Sequence, residues 1–103
     1  MSLNDLETQR TRLRRLRILQ VLSQNRPDPI GDGLIHRCLR NDVDLAFMQS
    51  NIRNSLDYLA ERKLVTITLR TDERWMAKIS ADGVDFLDGF GPKFEGVAHP
   101  EEF

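Results

Sequence analysis

The stretch SNIRNSLDYLAERKLVTITLR, residues 50–70, changes its hydrophobic period partway along. Up to residue 62 the apolar positions recur at steps of three and four. Ile52, Leu56 and Leu59 continue a series begun by Leu45 and Met48. At about 100° per residue these positions share one narrow stripe of a helix. From residue 64 the step becomes two. Val65, Ile67 and Leu69 alternate with Thr66, Thr68 and Arg70, which predicts a strand with the first set inward. A helix over 45–62 therefore runs almost directly into a strand. Its first half also carries Ser50, Asn51, Arg53 and Asn54 away from the stripe, although Ser and Asn are weak helix formers.

On the C-terminal side, WMAKIS (75–80) alternates again, with Trp75, Ala77 and Ile79 set against Met76 and Lys78. TDER (71–74) between the two runs is short enough for a hairpin loop. ISADGVDFLDG (79–89) reads as a strand end, a Ser80 cap and a short helix with Asp82, Asp85 and Asp88 on its solvated face. FGPKFEGVAHPEEF (90–103) reads as a tail.

On the N-terminal side, residues 3–25 predict a first helix. Arg10, Arg12, Arg14, Arg15 and Arg17 load a solvated first half, and Leu16, Ile18, Leu19, Val21 and Leu22 surround a buried second half. Leu3, Leu6 and Leu13 add an apolar element that suits a dimer contact. RPDP (26–29) stops this helix. IGDGLIHRCLR (30–40) predicts a short second helix, its start drawn toward Asp32 because Gly31 and Gly33 each disfavour a helix interior, with Leu34, Ile35, Cys38 and Leu39 inward. NDVD (41–44) reads as a turn with Asp44 as the N-cap of the third helix. Phe47 and Tyr58 fall outside the third helix's stripe, placed to pack on the first helix or to meet a partner.

The order helix, helix, helix, strand, strand, helix fits an α+β winged helix-turn-helix: three helices, a two-stranded wing and a short C-terminal helix. The 103 residues suffice for one domain over 1–89 with a tail over 90–103. No apolar run has the length of a membrane span, and MSLNDLETQR has no signal-peptide segment, so a cytoplasmic protein is expected. Cys38 is the only cysteine, which leaves no disulfide and no thiolate cluster. His36 and His99 are far apart, and no nucleophile–base pair or Gly-rich phosphate loop is present. Neither an enzyme, a metal site nor a cofactor is expected.

LDYLAERKLVTIT (56–68) resembles the end of a recognition helix entering the wing in the ArsR-like winged-helix superfamily, where "LxxLxxxGLV" is the usual form. Lys63 stands in place of the usual Gly, so the helix end must be satisfied differently. ISADGVDFLDG is similar to the "LTxxGxxxxxG" that follows the wing, and FEGVAHPEE to the "xPGVxRPE" ending of a small family of Mu-like phages and prophages. The resemblance implies a winged-helix fold and a phage or prophage origin, in a bacterial host cell. The Cys-rich metal-sensing motif of the superfamily's recognition helix has no counterpart here, so metal sensing does not carry over.

Net charge is −1, unlike a strongly basic nucleic-acid binder, but the charge is unevenly spread. Residues 1–63 carry eleven Lys/Arg against eight Asp/Glu, and residues 64–103 four against eight. A chain divided this way can still present one basic face. In a helix-turn-helix the first residues of the second helix enter the major groove. Gln49, Ser50, Asn51, Arg53 and Asn54 occupy that place, and Arg on guanine or Asn and Gln on adenine are the pairings that read bases. Arg12 and Arg15 of the first helix and Arg70, Arg74 and Lys78 of the wing are placed to meet phosphates, although Asp72 and Glu73 at the wing tip oppose this. The expected function is a transcriptional regulator that binds double-stranded DNA as a homodimer. The competing reading is a winged helix that contacts a phage protein during assembly or DNA packaging, with the arginines paired to acids of a partner chain.

Overall fold

The computed structural model of the protein describes residues 3–45 and 49–102, apart from the side chains of residues 3, 4, 49 and 50. Among the described residues the chain is α+β, with four α-helices and a three-stranded antiparallel sheet. In order the elements are α1 (Leu3–Gln24), β1 (Ile30–Gly31), α2 (Asp32–Leu39), α3 (Gln49–Glu61), β2 (Val65–Arg70), β3 (Trp75–Ile79) and α4 (Ala81–Leu87). The C-terminal end carries no further α-helix among the described residues, only a 3-10 turn at Pro100–Glu102. No described helix is long and apolar enough to cross a membrane. This order is compatible with a winged helix.

The sequence did not indicate β1. The prolines of RPDP end α1, and Ile30 and Gly31 then pair with β3 opposite Ala77 and Met76. A two-residue strand has no period to reveal it. α2 accordingly starts at Asp32, and its inward face is narrower than expected. Ile35 and Leu39 are buried one turn apart, whereas Leu34 and Cys38 lie on the next stripe round the helix and are exposed. The expectation that Cys38 and Leu34 belong to the core is therefore corrected.

At the expected start of the third helix, Leu45 is buried but still in a turn, its N–H donating to the Asp42 carbonyl. The expected Asp44 cap depends on Ala46, Phe47 and Met48, which lie outside the described residues, as do the roles expected of Phe47 and Met48. From Ile52 on the apolar stripe is as read: Ile52, Leu56 and Leu59 are fully buried against Leu16, Ile18, Leu19 and Leu22 of α1 and Ile35 of α2. Leu13, expected to serve a dimer, is buried in the same core, while Leu6 is partly exposed.

The junction from α3 to β2 is a Schellman turn. The Leu64 N–H donates to the Leu59 carbonyl and the Lys63 N–H to the Ala60 carbonyl, both at 3.0 Å. Lys63 itself takes the left-handed conformation, φ 63°, that this motif requires. The helix end is thus closed in the usual way, with Lys doing what Gly does elsewhere, and not by a different device. α4 ends by the same pattern at Gly89, and it begins at Ser80, whose hydroxyl accepts from the Gly83 N–H as the sequence indicated. Gly83 is required by close approach: a Cβ there would run into the Leu64 carbonyl oxygen.

β2 and β3 pair as read until Ile67 opposite Ala77, then skip one residue so that Leu69 faces Met76 and Arg70 faces Trp75. Thr68 is the extra residue of a bulge. The alternation flips beyond it. Leu69, expected inward, is exposed, and Arg70, expected outward, turns to the Trp75 face of the hairpin. The segment read as a tail packs back from Phe94 onward: Val97, Ala98 and His99 are buried, and the Ala98 N–H donates to the Arg12 carbonyl.

A side chain in the left-handed region costs about 1 kcal/mol or more relative to Gly. Lys63→Gly is expected to stabilise the protein by about 1 kcal/mol, read as a rise of roughly 4 °C in the thermal midpoint. An unchanged or lower midpoint contradicts the assigned turn.

Candidate nucleic-acid interface

α2, α3 and the hairpin meet at one buried carboxylate. Asp32 opens α2 and is only 1% exposed. Its Oδ2 accepts from Arg53 Nε of α3 at 2.7 Å, and its Oδ1 accepts from the Trp75 backbone N–H of β3 at 3.0 Å. Arg53 Nη1 also donates to the Asp72 carbonyl in the loop between β2 and β3. The Trp75 ring has the Arg53 guanidinium 5.5 Å and the Arg70 guanidinium 4.5 Å from its centroid, within cation–π range. A buried carboxylate is tolerable only when paired and hydrogen-bonded, and its place in the first turn of α2 adds the favourable helix dipole. Arg53, read from the sequence as a base-reading residue, is therefore held by the fold through two of its nitrogens.

The outward face of α3 is partly open to solvent. Asn54 is exposed on it, and Asp57 and Glu61 follow toward the C-terminal end. Both acids are paired, Asp57 with Arg70 of β2 and Glu61 with Arg62. Asn51 is half-buried. Gln49 and Ser50 open α3, with their side chains outside the described residues. On the hairpin, Arg74 and Lys78 are exposed and form no ion pair among the described residues. Arg37 and Arg40, exposed on α2 beside a shallow groove of about 350 Å³, escaped the sequence reading. Their signal was available: both lie off the Ile35–Leu39 stripe.

The arginines of α1 are not the solvated set that was expected. Arg14 is buried, and Arg10, Arg12, Arg15 and Arg17 are each partly covered. Arg12 Nε donates to the Glu95 carbonyl at 2.8 Å, and its two terminal nitrogens hold the Glu102 carboxylate at 3.1 and 2.8 Å. Arg15 donates to the Gly96 carbonyl at 2.8 Å. Its guanidinium carbon and that of Arg62 each lie 3.5 Å from the Tyr58 ring centroid, so the two cations flank the ring on opposite faces. Tyr58 thus packs on α1. Burial lowers the pKa of both Arg14 and Arg15, and for Arg14 the neighbouring Arg15 adds to the effect. An open groove of about 510 Å³ runs between α1, Tyr58 and the C-terminal segment, but its two arginines are already bound to protein oxygens. No group of three or more metal-ligating side chains comes together among the described residues.

Comparison with protein-family models, with curated proteins and with solved structures gives no match.

Truncating Arg53 takes from the buried Asp32 carboxylate its paired cation, so Arg53→Ala is expected to cost about 3–5 kcal/mol in urea unfolding. Asp32→Ala with Arg53→Ala should cost less than the two single losses added together, because the second truncation removes the buried charge. Strict additivity contradicts the pairing. Glu102 gives a pH test. Its hydrogen bonds from Arg12 and then from the His99 N–H hold its pKa below the ordinary carboxylate value. A depressed carboxylate stabilises above its unfolded pKa and loses that contribution as pH falls through the folded value. The protection factor of the Ala98 amide, which discounts the slowing of intrinsic exchange in acid, is expected to fall below about pH 4.5, the reference carboxylate value, and Glu102→Gln should remove that acid dependence.

Proposed function

We propose that the protein is a winged helix-turn-helix regulator that binds double-stranded DNA, encoded by a Mu-like phage or prophage and acting as a homodimer in the bacterial cytoplasm. α2 and α3 are its helix-turn-helix, and β2 and β3 its wing. The observation that carries this reading is the outward face of α3: Asn54 is exposed on it, and its two acids are each paired with an arginine. Such a face can approach a polyanion without the repulsion its sequence implies.

Asn54 and Asn51, with Gln49 and Ser50 in the first turn, are the base-reading set, each bidentate pair being worth about 1–3 kcal/mol of discrimination. Arg74 and Lys78 supply phosphate contacts from the wing. Arg53 and Arg70 act by holding α3 against the wing, through Asp32 and Asp57. Arg12 and Arg15 reach phosphate only where the C-terminal segment yields them. A second reading, contact with a phage protein in assembly or packaging, is favoured by the engagement of those two arginines and by the net charge of −1.

Anisotropy of labelled duplex DNA at low and then rising salt tests the proposal. Binding should fall linearly in log affinity against log salt. Asn54→Ala should weaken a selected site about tenfold while sparing mixed-sequence DNA, and Lys78→Ala should lower the salt slope by roughly one. Absence of binding to a varied duplex pool at low salt rejects the DNA reading in favour of the second.

A further inference from the structure

Two surfaces that the DNA reading does not use are complementary to each other. The first is the outer side of α2. Leu34 is 56% exposed there, with Cys38 exposed on the same stripe. Arg37 and Arg40 stand together along one side of this apolar ridge and form no ion pair among the described residues. The ridge is not an accident of scattered surface residues: Leu34 and Cys38 are four apart, so they stand one above the other on the helix.

The second surface lies at the other end of β3, where α4 and the bend after it enclose a half-open cavity of about 210 Å³. Its wall is apolar, built from Leu64, Phe86, Pro92 and Phe94, and Phe90 stands at its edge 69% exposed. Asp82 and Asp85 line its rim, and Asp88 follows on the same helix. None of the three has an ion-pair partner among the described residues. Arg62 also touches the cavity, but it is committed to Glu61 and to the Tyr58 ring.

We propose that these two surfaces bind each other between copies of this chain, the α2 ridge of one molecule entering the α4 cavity of the next. An apolar ridge bordered on one side by two guanidinium groups meets an apolar hollow rimmed by carboxylates, and the hollow is large enough for a leucine side chain. The two faces flank opposite ends of β3: α2 adjoins Trp75 and Met76 at its start, and α4 follows Ile79 at its end. Such a contact is head to tail and separate from the symmetric contact of the proposed homodimer, so it joins copies into a chain or a ring.

Sedimentation velocity over a range of concentration and salt tests this on the full protein. The average mass should rise continuously with concentration, at least doubling, and fall back as salt is added. Two variants confined to exposed positions separate the halves of the contact. One carries Leu34→Ser, Arg37→Gln and Arg40→Gln; the other carries Asp82→Asn, Asp85→Asn and Phe90→Ser. Each alone should lose the concentration-dependent growth, and an equimolar mixture should regain one further step of association, because each supplies the face the other lacks. Alkylation of Cys38 with a bulky maleimide should reproduce the first variant. A mass that stays constant across concentration, growth that both variants retain, or variants that do not pair when mixed each overturn the proposal.

Discussion

The Asp32 carboxylate is the constraint on which the arrangement of α2, α3 and the hairpin depends. It is almost wholly buried, and burying a lone carboxylate is prohibitively costly. The fold meets that cost by bringing a guanidinium from α3 and a backbone N–H from β3 to the same two oxygens. Each partner then fixes an element. Arg53 orients α3 relative to α2, the Trp75 N–H fixes the start of β3, and the second Arg53 bond reaches the loop at Asp72. The β-bulge at Thr68 completes the arrangement by turning Arg70 to the Trp75 face, where it pairs with Asp57 of α3. α3 and the hairpin are thereby one surface.

The arginines of this chain divide by what they touch. Arg53 and Arg70 join elements. Arg12 and Arg15 hold the returning C-terminal segment through Glu102 and two carbonyls, and Arg15 and Arg62 sandwich Tyr58. Arg37, Arg40 and Arg74, with Lys78, are left to solvent. A cation count taken from the sequence therefore overstates the charge available to a nucleic acid. It also misplaces that charge: the exposed cations that form no ion pair among the described residues stand on α2, on the wing and at Arg26, Lys63 and Lys93, and none is on α1.

Much of the fold was legible where its cause is local. The stripe through Ile52, Leu56 and Leu59, the change of period after residue 62 and the Ser80 cap each depend on neighbours in the chain. What escaped depends on distant partners. β1 is two residues long and exists because β3 is there to pair with it. The bulge that reverses Leu69 and Arg70 is a property of the β2–β3 pairing and leaves no mark on the alternation itself. The return of the C-terminal segment rests on Phe94, Val97 and Ala98 and on the bonds from Arg12 and Arg15, partners some eighty residues away that the polar run does not announce. For the candidate site, the exposure of Asn54 could be read from the helix, whereas the engagement of Arg53 could not, because an acid at the start of α2 gives no sign of being buried.

Hydrogen exchange at the Trp75 amide tests most directly whether the Asp32 cluster locks the hairpin to the helices. This N–H has a buried carboxylate as its acceptor. If the cluster is the lock, the amide exchanges only by global unfolding, as slowly as the core amides of Leu56 and Leu59 in α3. If it exchanges instead at the rate of the loop amides of Asp72 and Glu73, the hairpin frays independently of α3 and the cluster does not unite them.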